Sequence, residues 1–237
     1  MKISKHKSIK EGFVYGSPLV LGYIPVAMAF GLLAKNTGLS FFGASANSIF
    51  VFAGASQFMF LDLVRIGVSP GSIILATFLL NLRHLIMSAS LSTRLDNKMR
   101  AFVPIIGFGI TDETFSVLSF YKEKLDLAFI LVVNGMAYLA WVLGTMLGYL
   151  VGEIIPKALQ TSLGLGLYAL FAALLFPSFK TNKSSIFVSL IGVLVYTIIF
   201  FSNFFSSGWD IIAGIIISTG LATIILDRRE SKNEDLS

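Results

Sequence analysis

Three charged residues stand in the middle of long apolar runs of this sequence. Arg83 lies half-way along residues 71–92, and Asp112 and Glu113 lie half-way along residues 101–121. A charge at the centre of a bilayer costs roughly 2.5–3.5 kcal/mol on insertion scales, so such residues are seldom there without a function. The simplest arrangement pairs Arg83 with one acid and leaves one carboxylate over. We interpret the three as a site for a charged substrate or a proton, with a purely architectural ion pair as the alternative.

Polar side chains accompany the arginine on the same apolar run. His84 adjoins Arg83, and Asn81 lies two residues before it. On an α-helix, Asn81 and His84 share one face because they are three residues apart. An imidazole can titrate near neutral pH, so His84 is either a participant in proton coupling or a plain hydrogen-bonding residue.

Two of the apolar runs are interrupted by small or polar residues. Residues 53–57 read Ala-Gly-Ala-Ser-Gln in the middle of the run 41–64, and residues 104–114 of the run 101–121 combine Pro and Gly with Thr-Asp-Glu-Thr. Broken helices are tolerated at membrane depth where protein or water lines a cavity, and transporters build binding sites from them. A small-residue packing face is the alternative. The complete set of candidate substrate-binding or ion-binding residues is Gly54, Ser56, Gln57, Asn81, Arg83, His84, Asp112 and Glu113.

The composition shows which solvent surrounds the elements that hold these residues. The chain of 237 residues is 55% hydrophobic and has a mean hydropathy of +0.83. Charged residues make up 13% of it, against roughly 25% in a soluble domain. Lipid must therefore surround most of the chain, and a helical span needs about 20 apolar residues. We predict an all-α integral membrane protein, a polytopic bundle of seven to eight transmembrane segments with some broken or re-entrant, at residues 13–34, 41–64, 71–92, 101–121, 127–151, 160–177, 185–204 and 208–226.

These segments form a single predicted transport domain, residues 13–226, between a basic N-terminus, residues 1–12, and a polar tail, residues 227–237, expected to be disordered. The N-terminus also resembles a signal peptide, because lysines precede an apolar run and Ala-Met-Ala at 27–29 resembles a cleavage site. The apolar run continues past that site and contains two prolines. We therefore predict a first transmembrane helix there.

Basic residues mark the ends of the predicted segments. The formal net charge is +5, and cytoplasmic loops carry an excess of Lys and Arg. With eight spans the basic regions 1–12, 121–126, 178–184 and 227–237 fall on one side, so we expect a multi-pass protein of the cell membrane with a cytoplasmic N-terminus. The basic loop 93–100 then falls on the wrong side, and a re-entrant segment nearby would repair the conflict. This charge distribution gives no reason to expect a nucleic-acid partner.

The sequence lacks the residue types that several classes of functional site require. The chain has no cysteine, so it has no disulfide, thiol nucleophile or Cys-based metal site. Its two histidines, His6 and His84, cannot build a metal site alone. We expect neither a metal nor a cofactor.

Three motifs resemble those of a known family. They are Phe-Ala-Gly-Ala-Ser-Gln at 52–57, Asn-Leu-Arg-His at 81–84 and Thr-Asp-Glu-Thr-Phe at 111–115. In this order and spacing they are similar to the AzlC family, the large subunits of branched-chain amino acid exporters, over about residues 11–226. The resemblance implies export of valine, leucine and isoleucine, with methionine as a further candidate, driven by the proton-motive force. It also implies a small membrane subunit of the AzlD kind as partner.

The residues alone leave other functions open. A zwitterionic amino acid suits this chain, because its ammonium and carboxylate would meet the acids and Arg83, and its side chain an apolar pocket. A polytopic membrane enzyme acting on a lipid phosphate is the first alternative, with Arg83, His84 and the acids as its site. A passive channel or structural subunit is the second. The non-enzymatic interpretation is preferred, because phosphate sites usually recruit several basic groups or a metal.

Overall fold

The computed structural model describes residues 5–152, 154, 179, 183–202 and 209–234, and every regular element in them is a helix. The prediction of an all-α membrane protein is confirmed. The helices are α1 Lys5–Asn36, α2 Phe41–Phe50, α3 Gly54–Arg65, α4 Pro70–Ser92, a 3-10 helix Asn97–Phe102, α5 Val103–Phe108, α6 Asp112–Phe120, α7 Leu127–Val151, α8 Lys183–Ser202 and α9 Trp209–Glu234.

Four of the described helices are long and apolar enough to cross a membrane: α1, α4, α7 and α8. Helix α9 has a shorter apolar stretch, Ile216–Leu226, and then continues to Glu234. This helix extends into the predicted polar tail, and the disorder expected there stays a prediction. The predicted segment 160–177 lies outside the described residues, so the count of seven to eight segments stays a prediction.

The chain divides into two compact units. The first contains residues 1–61 and 80–168, and the second contains residues 62–79 and 169–237. In the second unit α8 and α9 pack together, and a Cβ built on Gly214 would lie 3.1 Å from the Tyr196 ring. All candidate site residues belong to the first unit.

Helices α1 and α7 form a parallel pair that supports the first unit. Their contacts advance together along both helices, from Gly12 against Val132 to Gly148 against Met28. A Cβ on Gly148 would collide with the Met28 backbone, so glycine permits this close approach. The predicted first transmembrane helix is present, since α1 runs unbroken through both prolines and through residues 27–29. Because α1 and α7 run in the same direction, the place where another residue contacts either helix shows how far that residue lies between the two ends of the first unit.

Residues 41–61 form a re-entrant hairpin, the first hairpin, from α2 and the beginning of α3. It starts near the C-terminal end of the pair, where Tyr149 donates to the Leu39 carbonyl at 2.9 Å. By Ile49 the chain has reached the middle, since Tyr138 donates to its carbonyl at 3.1 Å. Gly54 then begins α3.

Helix α3 runs back toward the end from which α2 came. At the turn, Phe52 lies against Tyr23 of α1, with ring centroids 6.5 Å apart. Further along α3, Phe58 lies against Phe30, at 5.6 Å. Since Phe30 follows Tyr23 on α1, α3 returns toward the C-terminal end of the pair, and the first hairpin does not cross the unit.

Residues 96–121 form a second re-entrant hairpin, the second hairpin, which enters from the opposite end. Arg94 at its entrance donates to the Tyr121 carbonyl at its exit, at 2.6 Å. Tyr121 in turn donates to Glu11 in the first turns of α1. At the other extreme Phe108 reaches Tyr138, with ring centroids 5.7 Å apart. The two ends of this hairpin, which we call its feet, therefore lie at the N-terminal end of the α1–α7 pair.

The opposed hairpins resolve the conflict in the charge distribution. Lys124 donates to Asp96 at 3.0 Å, which places the basic loops 93–100 and 121–126 together. Lys7 donates to Glu123 at 3.2 Å, so the N-terminus lies at the same end. The interpretation with eight full spans, which separated these regions, was wrong, and the re-entrant alternative is the one present.

Candidate functional site

An ion pair joins α4 to the tip of the second hairpin. The Nη1 of Arg83 lies 2.7 Å from Oδ2 of Asp112, and the two side chains are 30% and 26% exposed. The predicted pairing of Arg83 with one of the two acids is thus present, and Asp112 is the partner. At this distance the carboxylate accepts a charge-assisted hydrogen bond.

The second acid is held by a neutral group from another helix. The Tyr23 hydroxyl donates to Oε2 of Glu113 at 2.6 Å and lies 2.6 Å from Oγ1 of Thr111. Tyr23 is 3% exposed, so this phenol is committed to the hairpin tip. Sequence reasoning missed Tyr23; the available signal was one hydroxyl in the middle of the first apolar run, between two prolines.

The start of α6 positions both acids. Thr111 has extended backbone angles, and its side chain accepts from the Thr114 N–H, while Thr114 returns the contact in a capping box. Asp112 and Glu113 therefore occupy the first turn, where the helix dipole stabilises negative charge. Gly109 precedes the cap, and a Cβ there would lie 2.7 Å from Cβ of Asn134. The predicted restart near Asp112 is thus a helix start fixed by its cap.

The tip of the first hairpin is held by Gln57. Its Oε1 accepts from Trp141 Nε1 at 2.9 Å and from the Ala53 N–H at 3.2 Å. Its Nε2 donates to Ser48 at 3.1 Å, and Ser48 is bonded to Thr145 at 2.8 Å. Gln57 is 1% exposed. All these groups are neutral and satisfy one another, as buried polar groups must.

Ser56, Asn81 and Gly54 connect the first tip to α4 and α7. Asn81 Nδ2 donates to Ser56 Oγ at 3.1 Å, and Ser56 donates to the Ala53 carbonyl at 2.9 Å. Gly54 lies so close to Trp141 that a Cβ would fall 2.7 Å from the indole. Among the described residues, neither Oδ1 of Asn81 nor Nε of Arg83 has a hydrogen-bond partner, although both atoms are buried. Helix α4 therefore carries one acceptor and one donor whose hydrogen-bonding capacity the described residues do not use.

His84 stands apart from these contacts. It is half-buried beside Arg83, and it forms no hydrogen bond to any residue that the structure describes. Its part in proton coupling stays a prediction. In the same described part of the chain, no three His, Asp or Glu side chains are arranged to hold a metal ion.

Four aromatic rings fill the space where the two hairpin tips meet. Phe52 lies 5.2 Å from Tyr138, 6.1 Å from Phe108 and 6.5 Å from Tyr23, measured between ring centroids. We call Phe52, Phe108, Tyr138 and Tyr23 the aromatic cluster. Phe52 is 2% exposed and has a φ of +42°. Such a conformation costs a bulky residue about 1–3 kcal/mol and persists where the surroundings enforce it, often at functional sites.

The foot of the second hairpin carries a charged contact outside the membrane-spanning helices. Lys124 donates to Asp96, which also accepts from the Lys98 N–H at 3.3 Å. The hydrogen bond from Lys124, followed by that from Lys98, holds the pKa of the Asp96 carboxyl below its ordinary value of 3.8. The contact is exposed, so salt screens it.

Comparison with known proteins places this architecture in a family. The family profile described as "AzlC protein" matches residues 18–155, which contain both hairpins and every candidate site residue. The chain belongs to the AzlC family. The resemblance found in its three motifs is thereby confirmed.

Relatives of this AzlC-family chain are membrane proteins. A membrane protein of Archaeoglobus fulgidus is 41% identical over 75% of this chain and 79% of its own length. The inner membrane protein YgaZ of Escherichia coli is 30% identical, over 87% and 86%. The branched-chain amino acid transport protein AzlC of Bacillus subtilis is 24% identical, over 92% and 85%. No solved structure matches the chain.

Proposed function

We propose that this AzlC-family protein exports branched-chain amino acids across the cell membrane, driven by the proton-motive force. The observation that carries the proposal is the position of the Arg83–Asp112 pair and the Tyr23–Glu113 pair together at a hairpin tip in the middle of the first unit. Valine, leucine and isoleucine are the proposed substrates, with methionine a further candidate. The Bacillus subtilis relative's name supports the substrate class.

The arrangement suits a zwitterion with an apolar side chain. A substrate carboxylate can accept from Nε of Arg83, which has no partner among the described residues, once movement of the side chain uncovers this buried atom. A substrate ammonium can donate to Glu113 and to Oδ1 of Asn81, since carboxylate and amide oxygens both accept. The aromatic cluster lies next to Tyr23 and offers an apolar surface to the side chain. Ser56, Gln57 and Gly54 then support the site, because they fix the opposing tip.

The two acids are proposed to have different roles. Asp112 is bonded to a cation, so protonating it would break an ion pair. Glu113 is bonded to a neutral phenol and can accept a proton without such a loss. We therefore assign proton coupling to Glu113 first and to His84 second, and substrate binding to Arg83.

A lipid-phosphate enzyme fits this site less well. Phosphate sites gather several cationic donors or a metal, whereas the described residues place one guanidinium at the second tip and commit it to Asp112. The small membrane subunit of the AzlD kind remains a proposed partner, supported by the resemblance. The cytoplasmic N-terminus is supported by the basic loops that gather at that end of the first unit.

A leucine-export assay tests the proposal. Cells that lack other leucine exporters, with and without this chain and its small partner subunit, are loaded with a leucine-containing dipeptide, and intracellular leucine is followed. We expect accumulation to fall when the pair is present and to stay high when Arg83→Gln replaces the native chain. Collapse of the proton gradient should abolish the difference. Equal accumulation with and without the pair would reject leucine export.

A further inference from the structure

Phe52 is the ring of the aromatic cluster that lies between the two hairpin tips. We propose that its ring is the barrier between the two hairpin tips, and that its size limits which substrate side chains pass. This inference rests on the proposed export of amino acids, because it concerns the apolar part of the same substrate. It identifies Phe52 as a specificity-determining residue.

The first support is the location of the ring. Phe52 belongs to the break of the first hairpin, yet its ring reaches Phe108 at the break of the second hairpin. The hairpins come from opposite ends of the α1–α7 pair, so the space between their tips is where a path from either end must continue. Phe52 fills that space and is 2% exposed. A solute that moves from one end to the other must displace this ring.

The second support is the neighbour that the ring shares with the charged groups. Tyr23 packs its ring against Phe52 and donates its hydroxyl to Glu113. A substrate whose ammonium lies at Glu113 therefore has its side chain directed past Tyr23 toward Phe52. One extra methylene in an apolar pocket changes the discrimination between two substrates by roughly 10- to 200-fold. The whole ring of Phe52 can therefore discriminate strongly between substrate side chains of different size.

The third support is the backbone of Phe52. Its φ of +42° is a conformation that glycine adopts freely and phenylalanine resists. The contacts with Phe108 and Tyr138 hold the ring in place against that resistance. Separation of the tips would release the residue to an ordinary negative φ and swing the ring away. The barrier is therefore strained while closed, which favours opening when the tips part.

The same strain supplies a suitable variant. Phe52→Gly removes the ring at a position where glycine fits the native backbone, so it separates the ring from the fold. Phe52→Leu keeps part of the bulk, and Phe30→Leu is a matched control, since Phe30 is buried against Phe58 away from the tips. The measurement is the export of phenylalanine and of leucine by cells expressing the full chain with its proposed small subunit.

We expect the phenylalanine-to-leucine export ratio to rise about tenfold or more in Phe52→Gly, to rise less in Phe52→Leu, and to match the native ratio in Phe30→Leu. An unchanged ratio in Phe52→Gly overturns the specificity role. A wild-type chain that exports no leucine rejects the proposed function instead, and the barrier is then judged by a second measurement that needs no substrate.

That measurement uses the absence of native cysteine. Ser56→Cys introduces a single thiol at the first tip, where the native side chain is 1% exposed. In proteoliposomes the thiol should react slowly with a membrane-impermeant methanethiosulfonate, and several-fold faster when Phe52→Gly is added but not when Phe30→Leu is added. Equal rates with and without Phe52→Gly overturn the barrier, whatever the transport assays show.

Discussion

The two hairpins of the first unit share a shape and differ in how their tips are held. Each enters from one end of the α1–α7 pair, breaks in the middle and leaves by the same end. The first tip is fixed by Gln57, which bonds to Trp141, Ser48 and its own turn through neutral groups. The second tip carries two acids whose partners, Arg83 and Tyr23, come from two other helices.

This difference separates a supporting tip from a functional one. Gln57 is almost wholly buried and bonds to Trp141, Ser48 and Ala53, so the polar groups of the first tip bond to one another rather than to a ligand. Arg83 and Asp112 are each more than a quarter exposed, and Nε of Arg83 has no partner among the described residues. Charged groups at membrane depth cost free energy, and Arg83, Asp112 and Glu113 all meet at the second tip. Three experiments test whether the two tips divide their roles in this way, and a fourth tests the foot of the second hairpin.

The largest expected effect is at the second tip. Arg83→Gln leaves Asp112 without its cation at membrane depth, where a charge costs roughly 2.5–3.5 kcal/mol on insertion scales. We expect poor membrane yield and loss of export. The double variant Arg83→Gln with Asp112→Asn should recover yield, because no lone charge remains, without recovering export. Yield is measured by quantitative blotting and export by the dipeptide assay.

Export by that double variant would show that the ion pair is architectural. Ser45→Ala is a suitable control, because the Ser45 hydroxyl is buried without a hydrogen-bond partner among the described residues. Its yield and export should equal those of the native chain.

The next effect is at the first tip and should be one of stability. Gln57→Leu keeps the bulk but leaves the Trp141 and Ala53 N–H groups without acceptors, at about 1–3 kcal/mol for each buried donor. Thermal melting of purified protein should shift downward accordingly. Export per folded molecule should stay close to native, and a specific loss of export at native stability would contradict the supporting role.

A smaller effect is expected at the link between α1 and the second tip. Tyr23→Phe removes the hydroxyl donated to Glu113 and keeps the ring that packs against Trp141 and Phe52. Loss of a hydrogen bond to a charged group costs about 1.5–3 kcal/mol. We expect export to slow by about tenfold or more, since 1.4 kcal/mol is one factor of ten. Tyr15→Phe, on an exposed part of α1, is the control, and equal rates in both variants would remove Tyr23 from the site.

The smallest effect is at the foot of the second hairpin. Folding lowers the pKa of Asp96 through Lys124, so the contact contributes stability above the ordinary value of 3.8 and loses it as the pH falls through the lowered pKa. Hydrogen exchange of residues 97–102 should therefore increase below that value. Asp96→Asn should remove the pH dependence of this segment, and its persistence there would assign it to another group.

The sequence predicted the two helix breaks and the charged residues within the apolar runs, because each of these features is determined by residues only a few positions apart. Glycine and polar residues at 53–57 and a threonine cap before two acids are readable within a few positions. The bounds of α7 coincide with the predicted segment 127–151 for the same reason, since Asp126 caps a continuous apolar run. The distribution of Lys and Arg alone also predicted a re-entrant segment near the basic loop 93–100.

The direction of each hairpin was not readable, because it is decided by distant contacts. Tyr149 meets Leu39 across 110 residues, and Tyr121 meets Glu11 across the same separation. Without them, a broken segment that crosses and one that returns have the same composition. The pairing of Arg83 with Asp112 rather than with Glu113 depends on the same long-range packing. The hydrogen bond from Tyr23 to Glu113 depends on it as well.

The contacts of the first tip also set an order of assembly during synthesis. Gln57 bonds to Trp141, 84 residues later, and Ser48 bonds to Thr145, 97 residues later. At about 5–20 residues per second, a ribosome needs roughly 4–17 s to make the first of those distances. Throughout that interval Gln57 and Ser48 lack the partners that α7 supplies. The nascent hairpin must therefore wait in a hydrated place, at the membrane surface or in the insertion channel, until α7 arrives to complete it.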